Sequence, residues 1–591
     1  MKKIYLTVVL LSSLFAQAQV KVASIFADNM VLQREAKIPI WGWATPNEKV
    51  TVTFHNQSKT TEADNEGKWS VRLNKEKAGG PYNLSITGKN QMLLKNILVG
   101  EVWLCSGQSN MEWTVGQSDD AENEIAKAHN SNIRHIKIPK EINSMPNADI
   151  KNTAWEVCAP ETAGGFTGIG YFYAKQLQEK LHIPIGLINA SWGGTNIETW
   201  ISREGFESST EFQEMIAKMP KINLQSLLNL KMSTEQNRIA TLQKYPFTTD
   251  KVVLFKEPDF DDKLWLTLQQ PQIWEEQSLG NFDGVVWLRK HFTLSKEDLN
   301  TEAILQIPAI DDNDITYLNG IKIGATKGWD IKRNYIIPSG LLREGVNVIA
   351  IQVIDNGGGG GIHGNDSDLK LVLENASIAL NGLWQFQVET IKNSIDENGY
   401  PSLCYNAMIH PLIPFAFKGV LWYQGESNAS RAFQYNKTFP LLINDWRQKW
   451  QTKFPFYFVQ LATFKTKGNS NEGCSWAELR EAQAHTLKVS HTAMVVTTDI
   501  GNPNDIHPTN KKEVGKRLAA IAFNNIYDKK TVCSGPVFKF FENRENQTVV
   551  TFDTMDYGLI AQKNNGLVYG FEVANNKQVF YPAKAIIHNN T

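Results

Sequence analysis

The sequence predicts an α/β domain with a parallel sheet, which a β-rich insertion splits and further β modules flank. Short apolar strands alternate with helical stretches, as in a parallel α/β sheet. The strands are at 101–105, 183–189, 419–423, 456–461 and 494–498, and the helices at 170–181, 439–450 and 511–522. From about residue 254 to 375 the helical period gives way to alternating apolar and polar residues, which is typical of strands. The same alternation occupies residues 20–99 and 537–591.

A chain of 591 residues is too long for one hydrophobic core. The pattern along the chain divides it into six segments. Short strands separated by turn residues indicate a small immunoglobulin-like sandwich near the N-terminus. We expect a signal peptide at 1–18, this β-sandwich at 19–98, the first part of the α/β domain at 99–250, an inserted β jelly roll at 251–380, the second part of the α/β domain at 381–530 and a C-terminal β-rich segment at 531–591.

The N-terminus has the features of a cleavable secretory signal. Lys2 and Lys3 precede an apolar run over residues 5–16, and Ala16 and Ala18 occupy the two positions that a signal peptidase reads. We therefore expect cleavage after Ala18 and export to a periplasm or the extracellular space. No later apolar run is long enough to predict a membrane span in the mature protein. The formal net charge of −1 argues against nucleic acid as a partner.

The five cysteines do not indicate a metal centre. Their number is odd, and no Cys-x-x-Cys pair supplies the spacing of zinc ligands. An oxidising compartment permits disulfides, but the sequence leaves the pairing open.

Four polar loops follow predicted strands, where open α/β sheets bind their ligands. They are the loops at 106–110, 191–196, 424–428 and 501–508. The first contains a serine, Ser109, and the second a glycine pair, Gly193 and Gly194. The third contains Gln424 and Glu426, and the last contains His507 beside Asp505.

This set of side chains fits acyl transfer. A serine hydroxyl needs a base to take its proton, and histidine suits that role because its pKa lies near neutrality. A tetrahedral intermediate carries a negative oxygen that backbone N–H or amide groups must stabilise. Taken singly, Ser109 also fits a turn or helix-cap serine, and His507 a loop histidine. The Gly-x-Ser-x-Gly elbow of lipase-type hydrolases is absent.

The sequence motifs of these loops resemble those of a known family. The motifs Gly-Gln-Ser-Asn-Met at 107–111, Trp-Gly-Gly-Thr at 192–195, Trp-Tyr-Gln-Gly-Glu-Ser-Asn at 422–428 and Asp-Ile-His-Pro at 505–508 look like the four blocks of the sialate O-acetylesterase family. That family belongs to the SGNH hydrolases, so the resemblance implies a flavodoxin-like, three-layer α/β/α domain. The insertion resembles a galactose-binding-like β jelly roll.

The resemblance implies a role for each loop residue. Ser109 attacks the acetyl carbonyl, and His507 takes its proton and later activates water. The oxyanion hole consists of the Ser109 N–H, an N–H from Gly193 or Gly194, and the Gln424 side chain. No metal and no organic cofactor is expected.

The acid that orients His507 stays open. Many SGNH hydrolases place it three residues before the histidine, where this chain has Asn504. Asp505 is the nearest acid, Asp499 and Glu426 are alternatives, and a Ser–His dyad is a further possibility.

The function expected from the resemblance is that of an exported serine esterase that removes O-acetyl groups from carbohydrates, with 9-O-acetylated sialate as the favoured substrate. Acetylated xylan, mannan or pectin is the alternative substrate class. Arg431 and Arg480 are candidates for binding a sialate carboxylate. A glycoside hydrolase, which needs two flanking carboxylates, and a non-catalytic carbohydrate-binding protein are the other hypotheses. The sequence leaves the oligomeric state open.

Overall fold

A computed structural model describes residues 19–244, 251–299, 302–374, 376–464, 470–554, 558–561 and 567–588. The signal peptide predicted at 1–18 lies outside these residues. The described chain divides into two compact units. The first contains the residues up to Lys221 and those from Asp396 onward, and the second contains Ile222–Ile395.

The first unit begins with short strands that pair into two antiparallel groups. One sheet contains β1, β3 and β6, and the other pairs β5 with β4, β4 with β7 and β7 with β8. Buried and exposed residues alternate along β4 and β6, which is the pattern of strands with one face on a core. The strands are β1 Lys21–Val22, β2 Val31–Gln33, β3 Ile38–Trp43, β4 Lys49–Phe54, β5 Gln57–Glu62, β6 Lys68–Leu73, β7 Gly79–Thr87 and β8 Gln91–Gly107.

Strand β8 crosses the boundary that the sequence suggested at residue 98. Its first half pairs with β7 and its second half enters the α/β sheet. The elements that follow are α1 Ser109–Glu112, α2 Ala121–Ala126, β9 Asn130–Lys137, β10 Trp155–Cys158, α3 Pro160–Ala163, α4 Gly168–Leu181, β11 Ile185–Ser191, α5 Arg203–Glu207 and α6 Gln213–Ala217. Helix α4 ends where His182 adopts a left-handed conformation, with φ 56°.

In the described part of the second unit, one α-helix is followed by strands. It comprises α7 Leu224–Gln243, β12 Leu266–Gln270, β13 Gly284–Leu294, β14 Ala303–Ile307, β15 Ala309–Asp311, β16 Asn313–Leu318, β17 Ile321–Lys327, β18 Arg333–Ile337, β19 Gly345–Asp355, β20 Gly361–His363, β21 Lys370–Val372, β22 Ser377–Ala379 and β23 Gly382–Ile391. A six-stranded sheet runs in the order β12-β23-β13-β19-β16-β17, and a four-stranded sheet in the order β18-β14-β21-β22.

Helix α7 belongs to this second unit, although the sequence assigned it to the α/β domain. Its Ile239 is fully buried in the core that the β-strands form, and Met232 and Leu242 pack against that core. The compact unit therefore begins earlier and ends later than the predicted insertion at 251–380.

The chain then returns to the first unit. The elements are β24 Gly419–Tyr423, α8 Ala432–Trp450, β25 Phe456–Val459, α9 Ser475–His485, β26 Thr492–Val495 and α10 Lys511–Asn525, followed by the pairs β27 Val537–Arg544 with β28 Gln547–Asp553 and β29 Leu567–Ala574 with β30 Phe580–Ile586. Helix α8 begins before the predicted residue 439 and contains Pro440. Strand β26 ends before the predicted residue 498, because residues 498–500 form a 3-10 turn.

The α/β sheet brings the polar loops together. Strands β9, β11, β8, β24, β25 and β26 are parallel in this order, and β10 is antiparallel to β9 at the edge. Every residue of β11, β24 and β25 is buried, as expected for strands covered on both faces. Ser191 and Tyr423 both pair with Gly107, so β8, β11 and β24 end at one level of the sheet.

All five cysteines are free thiols, and Cys105, Cys158 and Cys404 are buried. Within the described residues, no helix has the length and apolar character needed to span a membrane.

Candidate active site

The loop that carries Ser109 begins with a turn that requires glycine. Gly107 has φ +135°, and a Cβ there would lie 2.1 Å from the carbonyl oxygen of Tyr423. The backbone N–H of Gln108 donates to that same carbonyl at 2.9 Å, and the N–H of Trp192 donates to the Gly107 carbonyl at 3.0 Å. The chain thus leaves the sheet between β11 and β24, and Ser109 follows at the carboxyl edge as the first residue of α1.

Ser109 and His507 meet across the sheet edge. The Ser109 Oγ lies 2.9 Å from the Nε2 of His507, although 398 positions separate the two residues. The imidazole stacks on the indole of Trp113, with ring centroids 5.1 Å apart and planes at 20°. When Nε2 is unprotonated, the serine hydroxyl donates to it, which is the geometry that a general base needs.

The surroundings of His507 favour its neutral form. Burial lowers the pKa of the imidazole, the positive charge of Lys511 lowers it further, and the carboxylate of Asp505 opposes them. A neutral imidazole can accept the Ser109 proton near neutral pH.

No carboxylate in the described chain is hydrogen-bonded to the His507 ring. The Oδ1 of Asp505 is 3.9 Å from Nδ1, beyond hydrogen-bond distance, and accepts instead from the backbone N–H of His507 at 2.8 Å. Asp499 forms two hydrogen bonds with Arg517, at 2.8 and 2.6 Å. Glu426 accepts from Asn110 at 2.5 Å. Of these three acids, only Asp505 lies within ion-pair distance of the His507 ring.

Two of the predicted oxyanion donors are available. The main chain of Gly193 lies against the nucleophile, since a Cβ on Gly193 would be 3.2 Å from the Ser109 Cβ. The Gly193 N–H itself donates to Glu112 Oε2 at 2.9 Å. The backbone N–H groups of Ser109 and Gly194 have no acceptor in the part of the chain that the structure describes. Of the two glycines, Gly194 therefore offers the free donor.

The side chain of Gln424 is not such a donor, contrary to the sequence-based expectation. Its Nε2 donates to the Thr195 carbonyl at 3.1 Å and to Asn428 Oδ1 at 2.6 Å, which occupies both amide hydrogens. Its Oε1 accepts from the hydroxyl of Tyr435 at 2.9 Å. Because Gln424 is fully buried, it joins the second and third loops rather than facing the nucleophile.

The sequence analysis named Glu426 as an alternative acid but missed the buried polar cluster to which it belongs. The cluster consists of Asn110, Glu426 and Lys511, and we call it the Asn110 cluster. Asn110 donates to Glu426 and accepts from the Lys511 Nζ, both at 2.5 Å. Burial lowers the pKa of Lys511 to about 7, against the opposing effect of Glu426. Burial also raises the pKa of Glu426, while the hydrogen bond from Asn110 lowers it.

The helical period of the sequence indicates that Lys511 is buried. The buried face of α10 contains Lys511, Val514, Leu518 and Ala522, which follow the helical period, so the lysine occupies a core position.

Two lysines lie beside the glycine pair at the site. Glu112, which holds the Gly193 N–H, also pairs with Lys140 at 2.8 Å and with Lys137 at 3.6 Å. The Lys140 ammonium lies 5.7 Å from the centre of the Trp192 ring. Two cations thus share one carboxylate beside an aromatic ring, next to the glycine pair.

The two arginines singled out from the sequence lie elsewhere. Arg431 donates to both oxygens of Glu198, at 2.5 and 3.3 Å, so its guanidinium is already paired. Arg480 is a half-buried residue of α9, and burial lowers its pKa.

Comparison with known proteins identifies relatives of the α/β unit. The family model "carbohydrate esterase, sialic acid-specific acetylesterase" matches residues 99–231 and 393–524. These two stretches include all four polar loops. The unmatched residues between them fall in the second compact unit.

Individual proteins match over most of the chain. The sialate O-acetylesterase of Mus musculus is 25% identical over 564 residues, covering 88% of this chain and 76% of that protein. The sialate O-acetylesterase of Homo sapiens is 24% identical over 556 residues, covering 87% and 73%. The crystal structure of a carbohydrate acetylesterase from Xanthomonas citri superposes with a TM-score of 0.63 at 28% identity, covering 97% of this chain and 90% of that one.

Proposed function

We propose that this chain, a carboxylic ester hydrolase of the sialate O-acetylesterase family, is an exported serine esterase that removes O-acetyl groups from sialic acid. Its action on O-acetylated carbohydrate follows from the family. The proposal adds the mechanism, the sugar and the compartment. Export rests on the charged and apolar N-terminal pattern over residues 2–18.

The 2.9 Å contact between Ser109 Oγ and His507 Nε2 carries the mechanism. Ser109 Oγ attacks the acetyl carbonyl carbon while its proton passes to Nε2. The tetrahedral intermediate collapses, His507 returns the proton to the departing sugar oxygen, and an acetyl-serine remains. A water molecule then gives a proton to His507 and attacks the acetyl carbon. As the bond from that carbon to Ser109 Oγ breaks, His507 returns the proton to Oγ, which restores the serine and releases acetic acid, which ionises to acetate.

The free main-chain N–H groups of Ser109 and Gly194 support stabilisation of the oxyanion. Each donor of this kind typically contributes about 10²–10³ to the rate. The stacking of His507 on Trp113 keeps the imidazole plane fixed during both proton transfers.

The two lysines beside the glycine pair support sialate over a neutral polysaccharide. Lys137 and Lys140 pair with Glu112, and their side chains are 46% and 38% exposed, so both ammonium groups can attract an anionic sugar. Trp192 beside Lys140 offers a ring face to the sugar. Acetylated xylan, mannan or pectin is the second candidate, because the Xanthomonas citri relative is named only as a carbohydrate acetylesterase.

The strand order supports a flavodoxin-like SGNH layering. Leaving out β10 at the edge and its neighbour β9, the parallel strands β11, β8, β24, β25 and β26 follow the order second, first, third, fourth, fifth along the chain, as in flavodoxin-like sheets. Helix α4 packs with α10, and α8 packs with α9, which suits two helical layers. The six- and four-stranded sheets around one core support a jelly roll in the second unit.

Acetate release tests the proposal. Wild type, Ser109→Ala and His507→Ala would be assayed on 9-O-acetylated sialic acid, acetylated xylan and an aryl acetate. His485→Ala, an exposed histidine on α9, is the matched control. We expect release by the wild type and the control, loss of at least about 10³-fold in both site variants, and preference for the sialate. Release that survives Ser109→Ala would refute the serine mechanism, and preference for xylan would replace the sugar.

A further inference from the structure

The Asn110 cluster holds the main chain on both sides of His507. The Asn110 Nδ2 donates to the carbonyl of Ile506 at 3.0 Å, and the Lys511 Nζ donates to the carbonyl of Pro508 at 2.6 Å. Asn110 and Lys511 also bond to each other at 2.5 Å. The residues before and after the histidine are therefore tied to the residue that follows the nucleophile in sequence.

The cluster also touches the ring on which His507 stacks. The Lys511 ammonium lies 5.3 Å from the centre of the Trp113 ring and 5.9 Å from that of Tyr423. Lys511 and Asn110 are each 1% exposed, so water does not compete with these contacts. A lysine buried so completely needs partners that compensate its desolvation.

Glu426 supplies the opposite charge through Asn110. Its Oε1 accepts from the Asn110 amide, and its Oε2 is buried with no hydrogen-bond partner among the described residues. The acid thus fixes the orientation of the amide, so that Nδ2 faces Ile506 and Oδ1 faces the ammonium.

We propose that the Asn110 cluster is a positioning device for the esterase reaction, in which Lys511 and Asn110 fix the backbone of His507 relative to Ser109. This inference rests on the proposed serine mechanism. The three residues do not touch the acetyl group. They act through His507, whose distance from Ser109 Oγ they set.

The cluster has a second, electrostatic effect that a merely structural role would not produce. The charged groups that act on Lys511 are Glu426, Asp505 and Asp119. Those that act on His507 besides burial are Lys511, which lowers its pKa, and Asp505, which raises it. Removing the Lys511 charge therefore raises the pKa of His507. The acid limb of the kcat/KM profile then moves to higher pH, because His507 must be unprotonated to act as base.

The test compares Lys511→Met, Asn110→Ala and their double variant with the wild type on an aryl acetate. Lys512→Met is the matched control, since Lys512 is the next residue of α10, carries the same charge, is exposed and pairs with Glu124. We expect each single variant to lose about 10²-fold in kcat, because a displacement of about 1 Å costs this much, with KM within about threefold. The control should stay within about twofold.

The pH profile and the double variant separate the two effects. Lys511→Met should move the acid limb upward, while Asn110→Ala, which keeps the charge, should not. The double variant should lose no more than about threefold beyond the worse single variant, because both act through the same contact set. If Lys511→Met does not fold, as judged by circular dichroism, Asn110→Ala still tests the contact to Ile506.

Two results would overturn the inference while leaving the serine mechanism intact. One is wild-type kcat in a folded Lys511→Met or Asn110→Ala protein. The other is a double variant whose losses multiply. A wild type that releases no acetate, or whose activity survives Ser109→Ala, would instead refute the proposed function.

Discussion

The distance between Asp505 and His507 predicts how much the acid contributes to the rate. In a buried triad the carboxylate bonds the imidazole, and replacing it by an amide costs about 10⁴ in rate. Here the Oδ1 of Asp505 is 3.9 Å from Nδ1, and the two side chains are 51% and 31% exposed. Charge pairs of this exposure contribute about 0.2–1 kcal/mol, which corresponds to roughly 1.4- to 5-fold in rate.

Two substitutions separate the charge from the backbone contact. Asp505→Asn retains an oxygen that accepts the His507 N–H and should lower kcat/KM by about fivefold or less. Asp505→Ala also removes that 2.8 Å hydrogen bond, which is worth about 0.5–1.5 kcal/mol. Its total loss should be about 3- to 60-fold. Because the carboxylate raises the pKa of His507, both variants should move the acid limb of kcat/KM to lower pH.

The assay is the pH dependence of aryl acetate hydrolysis between about pH 5 and 9, with circular dichroism as the check of folding. Asn504→Ala is the control, because Asn504 occupies the usual position of the acid and lies in the same exposed loop. A loss of 10³-fold or more in kcat/KM for Asp505→Asn would refute the reasoning. It would show that the Asp505 carboxylate forms a hydrogen bond with His507 Nδ1 when substrate binds.

Three further results are expected. Gly107→Ala should yield little folded protein, because φ +135° and a Cβ 2.1 Å from the Tyr423 carbonyl leave no room, and soluble yield with thermal melting measures this. Lys140→Met should raise KM for O-acetylated sialate by about three- to tenfold, with KM for an aryl acetate unchanged, and equal effects on both substrates would contradict the charge argument. The third concerns stability. Burial lowers the pKa of Lys511 to about 7, below its unfolded value, so its destabilising effect is complete below pH 7 and is relieved as the pH rises. Urea unfolding should therefore show that the free energy of unfolding of the wild type rises by up to about 2 kcal/mol relative to that of Lys511→Met between pH 7 and 9.

Much of the architecture could be predicted from local patterns. The apolar strands at 419–423 and the helix at 511–522 lie where the sequence placed them, because burial on both faces of a parallel sheet and one face of a helix leave clear periodicities. Element ends were less certain, as the earlier start of α8 shows. Its Pro440 interrupts the sequence signal without ending the helix.

The sequence placed the four polar loops after strands, but it did not indicate the partners of their atoms. The common level of β8, β11 and β24 explains why the first three loops meet. Whether an amide such as Gln424 faces the substrate depends on which neighbours accept its hydrogens, and those neighbours, Thr195 and Asn428, come from two loops.

The sequence by itself determined which residue types stand in the four loops of the candidate site and which strands precede them, because both are local properties of the chain. Only the tertiary structure decided that Ser109 and His507 lie 2.9 Å apart, that Glu112 occupies the Gly193 N–H, and that Lys511 is buried beneath the nucleophile. The reason is physical. Hydrogen-bond partners and the desolvation of charges depend on atoms brought together across hundreds of residues, and no spacing along the chain records those distances.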